Sequence, residues 1–313
     1  MTLWLIVGLL AQCALAADPV LVPQIEEPWW PVAGQPDLGK YSSDTQQPGA
    51  FTIWQAADGT WQLQSAIRYT SYPGKTRLFY HWKGAKLTDP DWRPMGIAMT
   101  SDPGFGETEG GLQAPHVIRV QHEYLMFYGD WEHICLAKGV DGKTFARQLM
   151  PDGKCAMFSE GARANAPDPM ALKIGDLFYL YYTAYPDKLG ADFVRTSKDL
   201  RQWSSSKKVA AGGTSGSGAY SAECPFVYYH QGSGFYYLFR TQKYDEKGHP
   251  AQTNIYRSKD PTDFGVDTDR YLVGTIPHAG QEIIEYEGQT YIAVFRPKMQ
   301  GIQIAKLRWV PKP

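Results

Sequence analysis

Five times along this chain the same order of residues returns, and that repeat limits the possible folds more than any other feature. Pro48, Pro115, Pro169, Pro225 and Ala279 stand 67, 54, 56 and 54 residues apart. Each opens a strand-like run, followed by a turn and an aromatic second strand. The second strands read Trp61-Gln62-Leu63-Gln64, Tyr124-Leu125-Met126-Phe127-Tyr128, Phe178-Tyr179-Leu180-Tyr181-Tyr182, Tyr236-Tyr237-Leu238-Phe239 and Tyr291-Ile292-Ala293-Val294-Phe295. Third strands and turns follow in matching places, as in Val194-Arg195-Thr196-Ser197-Lys198-Asp199 and Ile255-Tyr256-Arg257-Ser258-Lys259-Asp260. From Gln46 onward the runs alternate and break at Asp-Gly, Lys-Gly or Gly-Lys turns, and none keeps a helical period over three turns. Units of roughly 50 residues cannot bury their own faces and must stack around an axis. The chain is therefore expected to be all-β, a five-bladed β-propeller over residues 46–313. A β-sandwich of similar hairpins would leave the near-constant spacing without a cause.

Residues 17–45, rich in Pro, Gln and Asp, read as an irregular N-terminal lead-in. The fifth unit has only Ile302 to Trp309 after its second strand, so the lead-in, with Trp29 and Trp30, is a candidate to complete it. Residues 1–16 form a short apolar run ending Ala14-Leu15-Ala16, the pattern of a secretory signal peptide, and predict a secreted or periplasmic protein. The run falls short of the about 20 apolar residues that span a membrane. Net charge is −1 with acids and bases scattered, which argues against nucleic acid or a membrane surface as partner. Aromatic residues make up 14% of the chain, a richness that suits sheet faces and sugar clefts equally and so does not choose between them. Cys135, Cys155 and Cys224 follow the signal. A Cys135–Cys155 bridge and three buried thiols are both open, and no pair has metal-site spacing. A monomer is expected.

In a propeller whose first strands line the axis, the starts of those strands converge on one funnel. Here they read Gln46-Gln47-Pro48, Gln113-Ala114-Pro115-His116, Pro167-Asp168-Pro169, Glu223-Cys224-Pro225 and His278-Ala279-Gly280-Gln281-Glu282. Proline is tolerated there because the first amide of a strand need not pair. Two carboxylates in one funnel suit glycoside hydrolysis: one protonates the leaving oxygen, the other acts as nucleophile, base or charge stabiliser. His116 and His278 either satisfy hydrogen bonds near the axis or contact sugar hydroxyls. Trp131, with Glu132 and His133, belongs to the same rim. Arg68, Arg240 and Arg296 follow second strands at equivalent places and either bind ring hydroxyls or a carboxylated sugar, or pin neighbouring blades. Tyr185 and Trp82 are candidate stacking platforms.

With Asp168-Pro169 and Glu223-Cys224-Pro225 in register with the repeat, the sequence resembles the five-bladed β-propeller glycoside hydrolases, the grouping of families 43, 32, 62 and 68. The resemblance implies Glu223 as general acid, and Asp168 as the carboxylate that tunes its pKa or stabilises the transition state. It implies a carbohydrate substrate, for which Gln47, His116, Asp130, Trp131, Arg240, His278 and Glu282 are the candidate binding residues. No cofactor is required; a calcium ion in the channel would be structural. The family's third carboxylate opens blade one, usually as Asp-Pro, whereas this chain has Gln47-Pro48, and an amide neither ionises near neutral pH nor attacks a sugar carbon. Asp44, Asp130 or Glu282 could replace it. Otherwise the chain is a carbohydrate-binding propeller, or a glycoside phosphorylase whose arginines and a histidine hold phosphate. Pro167 stands where an arginine commonly precedes the aspartate, and Arg163 could substitute from the loop.

Overall fold

The structure, a computed structural model, describes residues 19–161, 164–165, 167–242 and 251–313. The signal-like segment 1–16 and Arg163 lie outside the described residues. Strand β1 (Leu21–Ala33) precedes five antiparallel sheets. Blade one is β2 (Gln47–Gln55), β3 (Trp61–Arg68), β4 (Leu78–Gly84) and β5 (Arg93–Met99). Blade two is β6 (Gln113–Val120), β7 (Glu123–Gly129) and β8 (Ile134–Gly139), with short β9 (Ala146–Arg147) and β10 (Ala156–Phe158) both pairing β8. Blade three is β11 (Met170–Ile174), β12 (Leu177–Ala184), β13 (Ala191–Ser197) and β14 (Lys207–Ala211). Blade four is β15 (Glu223–His230), β16 (Phe235–Gln242), β17 (Gln252–Ser258) and β18 (Leu272–Ile276). Blade five is β19 (Glu282–Tyr286), β20 (Gln289–Phe295) and β21 (Ile302–Pro311), with β1 outermost. The first strands touch in a closed cycle, β2 to β6, β6 to β11, β11 to β15, β15 to β19 and β19 to β2, so the molecule is a five-bladed β-propeller.

The lead-in is not irregular throughout. Leu21–Ala33 pairs with β21 from Leu21 opposite Pro311 to Ala33 opposite Ile302. Pro23, Pro28 and Pro31 mask this strand in the sequence, because a proline donates no ladder hydrogen bond. At a sheet edge that loss is tolerated, and two register shifts, between Glu26 and Trp30 and between Pro31 and Ala33, absorb the misfit. The ring is thus closed by joining the two ends of the described chain in one sheet.

Aromatic side chains with a polar tip explain how blades adhere. A ring can fill the apolar space between sheets while its N–H or O–H reaches the neighbour's backbone. Trp54 of blade one donates to the Gly142 carbonyl of blade two at 2.7 Å. Tyr181 of blade three donates to Pro261 beyond β17 at 2.9 Å, and Tyr237 of blade four to Leu21 at 3.1 Å. Trp30 of blade five donates to Leu87 of blade one at 3.1 Å. Trp82 belongs to the same interior, buried with Trp61, Leu63 and Tyr80, and is not a sugar platform. Cys135 and Cys155 are buried thiols and are not bridged.

A candidate carbohydrate cleft at the mouth of the channel

The inner strands share one local distortion. In blades one, two and four a bulge separates Pro48 from Phe51, Gln113 from His116 and Glu223 from Phe226. Such an insertion bends a strand and re-aims its side chains. Ala114, Asp168, Cys224 and Gly280 occupy the same step in blades two to five with φ of 42°, 59°, 48° and 63°. This sets the register of the repeat: Gln281, not Ala279, takes the place of the prolines in blade five. In blade one, Pro48 matches Glu223 and Gly49 matches Asp168, and Gln47 lies one residue earlier. Neither blade-one slot carries an ionisable side chain.

Backbone contacts at the starts of blades three and four hold the two carboxylates together. Asp168 Oδ2 accepts the Cys224 N–H at 2.9 Å, and the Cys224 carbonyl accepts from Gln281 Nε2 at 2.9 Å. Gln281 Oε1 in turn accepts from the Thr241 and Thr253 hydroxyls at 3.0 and 2.7 Å. The backbone of Cys224, the residue after Glu223, is thus gripped by blade three through its N–H and by blade five through its carbonyl. Asp168 and Glu223, 9% and 8% exposed, both line a cleft at the mouth of the channel. Its other walls include Arg68, Tyr69 and Arg77 of blade one, Gln113 and Trp131 of blade two, and Asn165, Tyr185 and Tyr220. Asn165 joins Gln113 at 3.3 Å and also donates to the Tyr185 hydroxyl.

Beneath the cleft lies a narrower throat, lined by His116, Asp168 and Glu282 among others. His116 Nδ1 lies 3.6 Å from Glu282 Oε1. Burial pushes the Glu282 carboxyl up, and the histidine partly offsets this. The pair belongs to the throat and not to the cleft walls. Among the described residues no group of three or more His, Cys, Asp or Glu side chains is arranged to hold a metal ion.

Several expected site residues stand elsewhere. Arg240 is fully buried and donates to the carbonyls of Ser221, Gly212 and Gly216 at 2.9, 3.3 and 3.3 Å, so it braces the loop before Glu223 instead of meeting a ligand. His278 packs on Trp29, ring centroids 4.9 Å apart, and burial lowers its pKa. Asp130 is 1% exposed and caps its own loop, accepting from the backbone of Glu132 and His133 at 3.0 and 2.7 Å; that loop carries Trp131 into the cleft. Asp44 is exposed and outside the cleft. Gln47 is not a wall residue; its Oε1 accepts from Arg68 Nη2 at 2.8 Å. Among the described residues, Asp168 and Glu223 are the two carboxylates of the cleft.

Two charged groups had no signal in the repeat. Arg77 precedes β4, and its guanidinium lies over the Trp131 ring, 4.8 Å from the centroid. Burial and the adjacent Arg68 charge hold it below the ordinary arginine range, opposed by Asp168 and Glu223. Asp192, on β13 opposite Thr183, is fully buried. Neither of its carboxyl oxygens has a hydrogen-bond partner among the described residues, and the Thr183 and Ser221 hydroxyls are likewise unpartnered. Burial pushes Asp192 up to about 7; Arg240 opposes the shift, and Asp168 and Glu223 add to it.

No family model matches the chain, and no curated protein matches it in sequence. Solved structures do match in fold. An endo-1,4-β-xylanase from Bacteroides thetaiotaomicron superposes with a TM-score of 0.63 at 17% identity, covering 85% of this chain and 97% of that one. A thermostable family-43 glycoside hydrolase gives 0.62 at 14% identity, over 86% and 91%. A family-32 β-fructofuranosidase from Bombyx mori gives 0.58 at 17% identity, over 84% of this chain and 58% of the longer enzyme. With the ring of five sheets, these similarities establish that the chain has the five-bladed β-propeller fold found in glycoside hydrolases of families 43 and 32.

Proposed function

We propose that the protein is a glycoside hydrolase that binds an oligo- or polysaccharide in this cleft, with Glu223 as general acid and Asp168 as supporting carboxylate. One observation carries the reading: two carboxylates from the starts of neighbouring inner strands line one cleft, tied by the Cys224 N–H to Asp168. Asp168, in the same cleft, is placed to stabilise the cationic character that develops at the anomeric carbon. Tyr69, Trp131, Tyr185 and Tyr220 supply aromatic walls for the sugar. The solved propellers of this fold that act on glycosidic bonds support the assignment, and the signal-like residues 1–16 support export. The protein is proposed to work as a monomer without a cofactor.

A second reading has its own observation. Pro48 and Gly49 fill the blade-one slots, and Gln47 is bound to Arg68, which fits a propeller that binds carbohydrate without cleaving it. A screen of aryl glycosides and oligosaccharides with wild type, Glu223→Gln and Asp168→Asn separates the two. Turnover by wild type that falls about 10²- to 10⁴-fold in Glu223→Gln, the usual worth of a positioned acid, supports the hydrolase. Binding without turnover establishes the second reading, and full activity of Glu223→Gln removes Glu223 as the acid.

A further inference from the structure

The cleft has a cationic wall facing its acidic one. Arg68 and Arg77 line it from blade one, and Asp168 and Glu223 from blades three and four. Among the described residues neither guanidinium lies within 4.0 Å of a carboxylate. Arg68 instead donates to Gln47, a neutral acceptor, at 2.8 Å, and its buried Nε has no partner. Arg77 lies over the Trp131 ring, with Lys75 also 4.8 Å from the centroid of that ring. An aspartate at position 47 would cancel the Arg68 charge; glutamine leaves it in place. Asp168 Oδ2 already accepts the Cys224 N–H.

We infer that the cleft selects a sugar bearing an anionic group, a uronic carboxylate or a sulfate ester, held by Arg68 and Arg77 while its ring rests near Trp131. The inference rests on the reading of this cleft as the sugar site, but not on catalysis. Guanidinium is suited to the task because its planar fork pairs with both oxyanions through two parallel N–H donors. Burial against Trp131 limits its hydration, so less water is lost when the anion arrives.

Calorimetric titration of the full chain with three sets of equal-length oligosaccharides tests this: uronides, sulfated galactosides and their neutral counterparts. One anionic set binding at least about tenfold tighter than the neutral one, with affinity falling as salt rises, is expected; which set binds identifies the anion. Arg77→Gln and Gln47→Asp should each erase most of that preference, the second without removing any contact to Trp131. Equal binding of neutral and anionic sugars, no binding of either anionic set, or an unchanged preference in both variants overturns the inference. So does cleavage of neutral glycosides that depends on inorganic phosphate, since phosphate would then be the anion. Tight anionic binding without turnover would uphold it while defeating the hydrolase assignment, and turnover of neutral sugars alone would do the reverse.

Discussion

Replacing Asp192 by asparagine should make the protein less sensitive to alkaline pH. The carboxyl is fully buried, its oxygens have no hydrogen-bond partner among the described residues, and its pKa is pushed from 3.8 to about 7. In the unfolded chain it ionises near the ordinary value. Between those two values the native state therefore holds a proton that the unfolded state has released, and stability falls as pH rises. From pH 5 to pH 8 this single group costs about 2 to 3 kcal/mol, at 1.36 kcal/mol per unit. Asparagine keeps the shape and cannot ionise. Urea unfolding of wild type and Asp192→Asn at pH 5 and pH 8 measures the effect: the variant should gain about 2 to 3 kcal/mol on wild type between the two conditions. If the difference between the proteins is the same at both pH values, Asp192 is ionised in the fold, and Arg240 outweighs burial.

Two further predictions concern the frame of the site. Gly280→Ala should lower stability by about 1 to 3 kcal/mol in a thermal or denaturant melt. The residue sits at φ 63°, and a Cβ there would lie 2.2 Å from the Phe295 ring. Starting the chain at Gly34 should abolish cooperative unfolding or give aggregates in size-exclusion chromatography. It strips β1 from β21, exposes a sheet edge and leaves the Tyr237 hydroxyl without its Leu21 acceptor.

How much of the site the sequence disclosed depends on what fixes each residue. Asp168 and Glu223 were legible because strand starts in a cyclic repeat must converge, whatever the side chains. Arg240 and His278 looked equivalent to site residues by the same spacing, yet one is pinned by three carbonyls and the other by Trp29. Spacing gives the place of a Cα, while the bulge and the neighbouring blade decide where the side chain goes. Arg77 shows the converse: it stands in a connection outside the repeat, and only the folding of blade one against blade two brings it onto Trp131.

The sequence by itself determined the all-β class, the number of blades and the two carboxylates, because periodicity of apolar and turn residues follows from local chemistry along the chain. The tertiary structure decided how the ring closes, which slots in blade one lack a carboxylate, and that Arg68 and Arg77 face Asp168 and Glu223 across one cleft. Those facts depend on contacts between residues far apart in the chain, and on bulges whose direction is set only when neighbouring blades pack.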